Sequence, residues 1–347
     1  MRLTTTTTMM TVSSLTSRAN RAISLWPLAF ALAMLIVLYI VPLLNGRTPT
    51  LFSTYNALQS FAGLSLVALA IGLTMIIGEF DLSVLGTYAL GGMIAVKLGG
   101  ENPLVGALAA MVFCGVFGAL QGFVIARFAV NSMAVTLAGY LVTLGATGTI
   151  GDDRSQPYAN FDLTAFLNLP IAGIFSVRSG IAILVIIVIS VLFLATPLGR
   201  DMRATGGGRR ASRTAGVRVN PIVIGTFAIS GTLAALGGTL QSYGVATATS
   251  NPGLSPLIFA VTAALLGGIA LTGGRGTPVG IAAGALGLSF LSQMFTDMAS
   301  PQFVSSLVRG SLLVIVTVFA TPVIIRYIRR LREGSGRARS VDSRSHR

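Results

Sequence analysis

The stretch that decides the fold reads FAGLSLVALAIGLTMIIGEFDLSVLGTYALGGMIAVKL and runs from Phe61 to Leu98. It holds two apolar runs, 61–77 and 84–98, on either side of a six-residue break that contains Glu79 and Asp81. A membrane-spanning helix needs about 20 mostly apolar residues. Each run therefore predicts one spanning helix, and the break at 78–83 predicts a tight turn at a membrane face.

The composition of the whole chain agrees with this interpretation. Of its 347 residues, 53% are hydrophobic and only 10% are charged, whereas a soluble domain carries about 25% charged residues. So few charges cannot form a water-facing surface, but lipid requires no polar coat. The 41 glycines also suit the close packing of helices inside a membrane. We predict an all-α polytopic membrane protein.

Ten runs of the sequence are apolar enough to be predicted as spans. They cover residues 27–44, 61–77, 84–98, 104–126, 133–150, 180–196, 222–243, 257–271, 278–295 and 306–325. We predict one transmembrane helix for each run. The remaining ends are a disordered cytoplasmic segment at 1–24 and a basic cytoplasmic tail at 329–347, so that the transmembrane domain covers 25–328.

The distribution of basic residues predicts the orientation. If both termini are cytoplasmic and every span crosses, 19 of the 24 lysines and arginines lie on the cytoplasmic side, as the positive-inside rule requires. The five others are Arg47, Lys97, Arg154, Arg178 and Arg309. Spans two to five and seven to ten then form two inverted four-helix groups beside spans one and six, an arrangement that is common in transporters.

Few residue types remain that could perform chemistry. The single cysteine, Cys114, lies in an apolar run and the single histidine, His346, lies in the tail, so we predict no disulfide, metal site or catalytic residue. An intramembrane enzyme would need a nucleophile with a base, an aspartate pair or a metal ion. The candidate aspartate pair, Asp81 and Asp297, is predicted on opposite faces of the membrane. The net charge of +14 lies mostly between or beyond the spans, which argues against nucleic-acid binding.

The break at 78–83 admits two interpretations. Acidic groups are costly inside a bilayer, so Asp81 needs a partner or a function. Its carboxylate, or the hydroxyl of Ser83, can cap the next helix by accepting hydrogen bonds from free backbone amides. Direct contact with a solute or a proton is the alternative. We favour capping and assign Gly78, Asp81 and Ser83 to a structural turn.

A second informative segment is the cytoplasmic loop at 198–221, which is long for a connection between packed helices. Residues 209–215 contain no helix breaker and are bounded by glycines, which predicts one or two helical turns along the cytoplasmic face. Ala211 and Ala215 are four residues apart and would share a helix face that fits a groove on another protein. The loop could equally be rich in arginine only because it is cytoplasmic.

A third segment, 271–277, contains Gly273, Gly274 and Gly276. A glycine-rich loop can hold phosphate, but the nucleotide-binding pattern also needs a preceding strand and a terminal Lys-Ser/Thr, which this segment lacks. We therefore predict a tight cytoplasmic turn between spans eight and nine, and no nucleotide site in this chain.

Taken in order, three motifs resemble those of the ribose-type permeases of bacterial ABC importers. They are GEFDLSV (78–84), GRDMRATGGGRRASRTAGV (199–217) and LLGGIALTGGRGTPVG (265–280), and NSMAVTL (131–137) resembles a fourth, weaker motif. The resemblance covers about residues 56–325. It implies a permease domain in the bacterial inner membrane that pairs with a second permease copy, as a homodimer or heterodimer. It also implies a cytoplasmic ATPase subunit, which binds ATP and Mg²⁺, and a periplasmic or lipid-anchored substrate-binding protein.

The resemblance places the ATPase contact in the 198–221 loop. The sequence favours the same place independently, because a chain without a nucleotide site must receive energy through an inner contact with another protein. The predicted coupling residues are Arg203, Ala204, Gly206, Gly207, Gly208, Arg209, Arg210, Ala211, Ala215 and Gly216.

We therefore predict the permease subunit of an ABC importer that translocates a sugar or a similar small polar solute. A secondary, ion-coupled transporter is the alternative, but it would need ionisable groups in the spans, where they are nearly absent. A neutral solute needs uncharged polar partners along its path. The candidates are Asn56, Gln59, Gln121, Thr136 and Gln241. The same side chains could instead hold helices together.

Overall fold

The computed structural model describes residues 5–48 and 50–320, with side chains described from 25 to 318 within these ranges. The chain is helical through most of this length. The helices are α1 (Thr5–Leu44), α2 (Leu51–Ile76), α3 (Val84–Leu98), α4 (Pro103–Phe128), α5 (Ser132–Gly151), α6 (Phe161–Leu167), α7 (Val177–Ala195), α8 (Pro197–Gly207), α9 (Arg209–Thr214), α10 (Val219–Gly244), α11 (Ser255–Leu266), α12 (Pro278–Asp297) and α13 (Gln302–Ala320). Four two-residue strands, β1 (Gln156–Pro157), β2 (Pro170–Ile171), β3 (Phe175–Ser176) and β4 (Thr247–Ala248), pair antiparallel as β1 with β4 and β2 with β3.

Each of the ten predicted spans overlaps a helix; α11 ends at Leu266 rather than at residue 271, and residues 321–325 of the last span lie outside the described part of the chain. Within the described part of the chain, seven helices are long and apolar enough to cross a membrane: α1 over Leu25–Leu44, α2, α4, α5, α7, α10 and α12. Three shorter apolar helices, α3, α11 and α13, account for the other predicted spans. The chain is therefore an all-α polytopic membrane protein, as the composition predicts.

Two helices begin ten or more residues before the predicted spans. α1 begins at Thr5, inside the 1–24 segment for which we predicted disorder, and α2 begins at Leu51 rather than at residue 61. Neither extension contains glycine or proline, so helical hydrogen bonding can continue outward from the apolar run. The predicted basic tail at 329–347 lies outside the described residues.

Three helices begin with the same local signal, a polar cap residue followed by proline. The pairs are Asn102 and Pro103 at α4, Thr196 and Pro197 at α8, and Thr277 and Pro278 at α12. In each case the cap side chain accepts a hydrogen bond from a backbone amide of the first turn, and the proline needs no amide partner there.

The helices pack in a reciprocal pattern. α10 lies against α3 and α4, whereas α2 lies against α11 and α12; likewise α3 contacts α4 and α5, whereas α11 contacts α12 and α13. The two four-helix groups α2–α5 and α10–α13 thus make equivalent contacts. Glycines permit the close crossings: a Cβ placed on Gly231 of α10 would lie 2.2 Å from the carbonyl oxygen of Cys114 on α4.

Burial divides the helices into a centre and a periphery. α2 and α3 are buried around most of their circumference, as is typical of central helices that are apolar on all sides. α4 and α5, in contrast, expose large apolar side chains such as Val112, Phe113, Leu141 and Val142. Such surfaces are compatible with lipid.

The loops collect at two ends of the bundle. At one end, β1 pairs with β4, Tyr158 donates a hydrogen bond to the carbonyl oxygen of Gly99 (2.9 Å), and Asn168 donates to that of Gly244 (2.7 Å). All of these segments are predicted outside the cell. At the other end, the 78–83 break, α8 and the 271–277 loop lie together. Loops predicted on the same side of the membrane therefore contact one another.

Candidate functional site

The three motifs that stand apart in the sequence meet at one place in the structure. The backbone amide of Gly274 donates a hydrogen bond to the carbonyl oxygen of Ile76, the last residue of α2, over 2.8 Å. A Cβ placed on Gly273 would lie 2.7 Å from the Cα of Gly78. Gly78 and Gly274 have φ of +79° and +74°, a backbone conformation that only glycine adopts readily. The break after α2 and the loop after α11 are therefore in direct backbone contact.

The cytoplasmic segment between α7 and α10 completes this junction. A Cβ placed on Gly206 of α8 would lie 1.9 Å from the carbonyl oxygen of Ile76 and 2.6 Å from the amide nitrogen of Gly274. On α9, Arg209 forms an ion pair and a hydrogen bond with Glu79 of the break. This is the one salt bridge found among the described residues. We call the 78–83 break, α8–α9 and the 271–277 loop together the glycine junction.

The 198–221 segment is more ordered than a loop. The predicted helical turns at 209–215 are confirmed by α9 (Arg209–Thr214), and a second helix, α8 (Pro197–Gly207), precedes it. We did not predict α8, although Thr196 and Pro197 form a helix-start signal. Arg203 also stabilises α8, because its Nε donates to the carbonyl oxygen of Gly199 and its guanidinium lies 5.0 Å from the ring centroid of Phe193.

The predicted coupling residues divide into two sets. Ala204, Gly207, Arg210, Ala211, Ala215 and Gly216 are exposed, whereas Arg203, Gly206, Gly208 and Arg209 are half-buried in the glycine junction. Ser212 of α9 is buried and donates a hydrogen bond to the carbonyl oxygen of Gly208 (2.9 Å). Ala211 of α9 and Ala215, which directly follows the helix, are therefore exposed, whereas Arg209 is already paired with Glu79.

Asp81 anchors the break to the interior of the bundle. Its side chain is 1% exposed; Oδ1 accepts hydrogen bonds from the backbone amide and the hydroxyl of Ser83, and Oδ2 accepts one from the hydroxyl of Ser230 on α10 (2.8 Å). Burial raises the pKa of the Asp81 carboxyl, and the hydrogen bonds from the two serines oppose that rise. The carboxylate serves as a structural acceptor in the turn, and it also joins α10, which the sequence did not reveal.

Two predicted solute-path residues hold the same break. Gln121 of α4 donates from Nε2 to the hydroxyl of Ser83 (3.0 Å). The hydroxyl of Thr136 on α5 accepts from the amide of Leu82 (3.1 Å) and lies 2.8 Å from the carbonyl oxygen of Ser132. Both side chains are buried. The break is thus hydrogen-bonded to α4, α5 and α10.

Gln59 lies in a second buried cluster towards the other end. Its Oε1 accepts hydrogen bonds from Arg178 Nε (2.9 Å) and from the hydroxyl of Ser176 (3.0 Å). Arg178 is only 5% exposed although we predicted it in an outer loop, and within the described residues Arg178 Nη1 and Gln59 Nε2 have no hydrogen-bond partner. A sequence signal for the position of Arg178 is the capping box formed by Ser176 and Ser179, which places Arg178 in the first turn of α7.

The remaining solute-path candidates, Asn56 on α2 and Gln241 on α10, are half-buried. A Cβ placed on Gly63, one turn after Gln59, would lie 3.3 Å from Gln241 Oε1, so Gln241 faces α2. The five candidates therefore do not line a single cavity. Gln121 and Thr136 come together at the break, while Gln59 belongs to the Arg178 cluster.

A cleft of about 660 Å³ opens beside the glycine junction. The residues that line it are Met75, Gly78, Glu79, Phe80, Ala129, Val130, Asn131, Ser132, Met133, Arg209 and Leu271. Its walls combine the break, the connection between α4 and α5, and the start of α9. Across the described residues there is no group of three His, Cys, Asp or Glu side chains that could hold a metal ion.

Comparison with known proteins assigns these motifs to a transport family. Residues 53–317 match the family model described as branched-chain amino acid transport system / permease component. The ribose import permease protein RbsC of Escherichia coli (strain K12) is 28% identical over 294 residues, covering 83% of this chain and 91% of the relative. RbsC of Bacillus subtilis (strain 168) is 26% identical, covering 83% and 90%, and the L-arabinose transport system permease protein AraH of E. coli (strain K12) is 28% identical, covering 70% and 74%. No solved structure matches the chain.

Proposed function

The chain belongs to the branched-chain amino acid transport system / permease component family, and from this membership we propose that it is the membrane-spanning permease subunit of an ABC importer for a sugar. The observation that carries the proposal is the glycine junction. Three motifs, far apart in sequence, meet where a helical segment of the 198–221 loop is exposed at one end of the bundle. Such a junction suits a chain that receives energy from another protein.

The choice of a sugar rests on the relatives and on charge. The curated relatives are named as ribose, D-allose and L-arabinose permeases. The family description names branched-chain amino acids, whose ammonium and carboxylate groups would call for charged partners. The solute-path candidates Asn56, Gln59, Gln121, Thr136 and Gln241 offer amide and hydroxyl groups that can hydrogen-bond the hydroxyl groups of a neutral sugar, and the buried cation Arg178 donates to one of them, Gln59.

The protein is a multi-pass protein of the inner membrane, and we propose ten crossings with both termini cytoplasmic. The contacts among loops at each end of the bundle support this count, because omitting one crossing would separate segments that touch. Single-cysteine variants at Ser155 and Thr214, both exposed, test the topology. An impermeant thiol reagent added to intact cells should label Ser155→Cys and should not label Thr214→Cys; labelling of Thr214→Cys would refute ten crossings.

We assign the proposed partners to the two loop-bearing ends of the helix bundle. An ATPase subunit that holds ATP and Mg²⁺ contacts α9 through Ala211 and Ala215, with Arg210 at the rim. A periplasmic or lipid-anchored binding protein delivers the sugar at the opposite end, and a second permease copy completes the transporter. In this scheme the permease itself carries out no chemistry.

The mechanism assigns a separate task to each region. The ATPase moves α8–α9, and the contacts within the glycine junction carry this movement to the break, which is held by Asp81, Gln121 and Thr136. Rearrangement of helices around the break then alternates access to the uncharged path. An ion-coupled mechanism is disfavoured, because the Asp81 carboxylate is already engaged with Ser83 and Ser230.

Stimulation of ATP hydrolysis tests the proposal. The permease is purified with a candidate ABC ATPase subunit from the same organism, reconstituted in liposomes, and supplied with a candidate sugar-binding protein with or without ribose, D-allose or L-arabinose. We expect a sugar-loaded binding protein to raise the ATPase rate. A rate that is independent of both permease and loaded binding protein would contradict the proposal.

A further inference from the structure

Gly206 occupies the most crowded position of the glycine junction. A Cβ at this residue would lie 1.9 Å from the carbonyl oxygen of Ile76, 2.6 Å from the amide nitrogen of Gly274 and 3.0 Å from the carbonyl carbon of Ile76. All three neighbours are backbone atoms, so no side-chain rotation can relieve the clash. The backbones of α8, the end of α2 and the 271–277 loop therefore touch without an intervening side chain.

Gly225 provides a matched comparison for the close backbone contact at Gly206. Gly225 on α10 is also a helical glycine, but a Cβ there would meet nothing within 4 Å. Neither glycine has a positive φ, so alanine can adopt the helical backbone at both positions. The two glycines consequently differ in the space around them rather than in their local conformation.

Through Gly206, α8 reaches both four-helix groups. Ile76 precedes the break, which is fixed to α10 by Asp81 and to α5 by Leu82. Gly274 belongs to the loop that joins α11 to α12. The ion pair between Arg209 and Glu79 adds a second connection from the same cytoplasmic segment to the break.

We propose that α8, the break and the 271–277 loop move as one rigid unit during transport, and that Gly206 is the positioning residue that keeps them together. This inference rests on the proposed function. Direct backbone packing resists deformation, so a displacement imposed on α8–α9 is carried into both groups at once. A sliding contact, in which α8 moves against the break in each cycle, is the opposite arrangement.

Alanine substitution tests the role of Gly206. We compare Gly206→Ala with Gly225→Ala in the complete transporter, reconstituted in liposomes with its ATPase and binding protein. Gly206→Ala should retain the ATPase in a pull-down but lose sugar uptake by ~10-fold, the size of a typical coupling between sites. Gly225→Ala should transport at the wild-type rate. Wild-type uptake by Gly206→Ala would overturn the proposal.

A crosslink keeps the proposal testable if Gly206→Ala fails to assemble. Glu79→Cys and Arg209→Cys are combined with Cys114→Ala, and the two thiols are joined by a reducible bifunctional reagent. A rigid unit predicts the same uptake rate before and after crosslinking. Loss of uptake that is restored by reduction would show that α8 must slide on the break, and would overturn the proposal.

Failure of the proposed function has a different outcome. If the protein is not an ATP-driven importer, the wild-type complex itself shows no ATP-dependent uptake in these liposomes. If the protein is an ATP-driven importer but the rigid-unit proposal is wrong, the wild type takes up sugar. In that case either Gly206→Ala takes up sugar at the wild-type rate, or crosslinking abolishes uptake.

Discussion

Arg178 Nε donates a hydrogen bond to Gln59 Oε1 over 2.9 Å, and this contact joins α7 to α2 in the interior of the protein. Within the described residues Arg178 forms no ion pair, although it is 5% exposed. A Cβ placed on Gly244 would lie 2.0 Å from Arg178 Nη1, so the guanidinium packs against the C-terminus of α10. The partial negative charge of that helix end favours a cation there.

Substitution of Gln59 should reveal this role. Gln59→Leu leaves Arg178 Nε without its acceptor. We expect the free energy of unfolding to fall by about 1.5–3 kcal/mol, the usual range for a hydrogen bond to a charged group. Denaturant unfolding in detergent measures the change. Gln59→Glu, which supplies a carboxylate to Arg178, is the matched control and should retain stability. Equal stability of Gln59→Leu and the wild type would contradict this account.

Asp81 provides a second test of the interior network. Asp81→Ala leaves the hydroxyls of Ser83 and Ser230 without an acceptor, and should cost about 1–3 kcal/mol. Asp81→Asn should lower the free energy of unfolding by less than Asp81→Ala does, because the asparagine amide oxygen can accept from Ser83 while its NH₂ donates to Ser230. In detergent, the midpoint temperature of thermal unfolding should be highest for the wild type, lower for Asp81→Asn and lowest for Asp81→Ala. An Ala variant as stable as Asn would show that the hydrogen bonds at Asp81 are unimportant.

The sequence predicts the helices well and their mutual contacts poorly. Apolar runs locate every spanning candidate, and α3 has the predicted bounds at Val84 and Leu98, because hydrophobic content and flanking breaks are local properties. α8 and the burial of Arg178 escaped prediction. In both cases a local helix-start signal, Ser176 with Ser179 and Thr196 with Pro197, stands at an end of the apolar run predicted as the span 180–196.

The glycine junction was beyond prediction for a physical reason. Gly78, Gly206 and Gly274 are separated by more than sixty residues each, and their contact depends on how α2, α8 and α11 pack rather than on any local pattern. The sequence shows that the three motifs are unusual, and the tertiary structure shows that they touch. The solute path stays a prediction, since Gln121 and Thr136 lie at the break, Gln59 lies with Arg178, and Asn56 and Gln241 belong to neither cluster.

Docking of the ATPase should depend on the exposed face of α9. Ala211→Trp places a large side chain on that face, and we expect it to abolish recovery of the ATPase in a pull-down while membrane insertion is unaffected. Arg210→Glu should weaken docking in a salt-dependent manner, because exposed charges are screened by salt. Arg209→Glu differs, since it also breaks the ion pair with Glu79. Full recovery of the ATPase with Ala211→Trp would exclude α9 as the contact.

The solute path can be tested at two positions with different surroundings. Gln121→Leu removes the hydrogen bond to Ser83, whereas Gln241→Leu changes a half-buried side chain that faces α2. If both amides contact the sugar, each variant should reduce uptake more than it reduces the amount of assembled transporter. Uptake assays normalised to purified complex make this comparison. Uptake that falls only in proportion to assembly would assign both residues to helix packing.

The central claim is that this chain transports solute with energy delivered by a separate ATPase. The most direct measurement is uptake of radiolabelled ribose, D-allose or L-arabinose into proteoliposomes that contain the permease, its ATPase and its binding protein, with all ion gradients collapsed by ionophores. We predict that uptake of one sugar persists when ATP is available to the ATPase and stops when ATP is omitted. Uptake that ceases when the gradients are collapsed, or that proceeds without the ATPase, would contradict the claim.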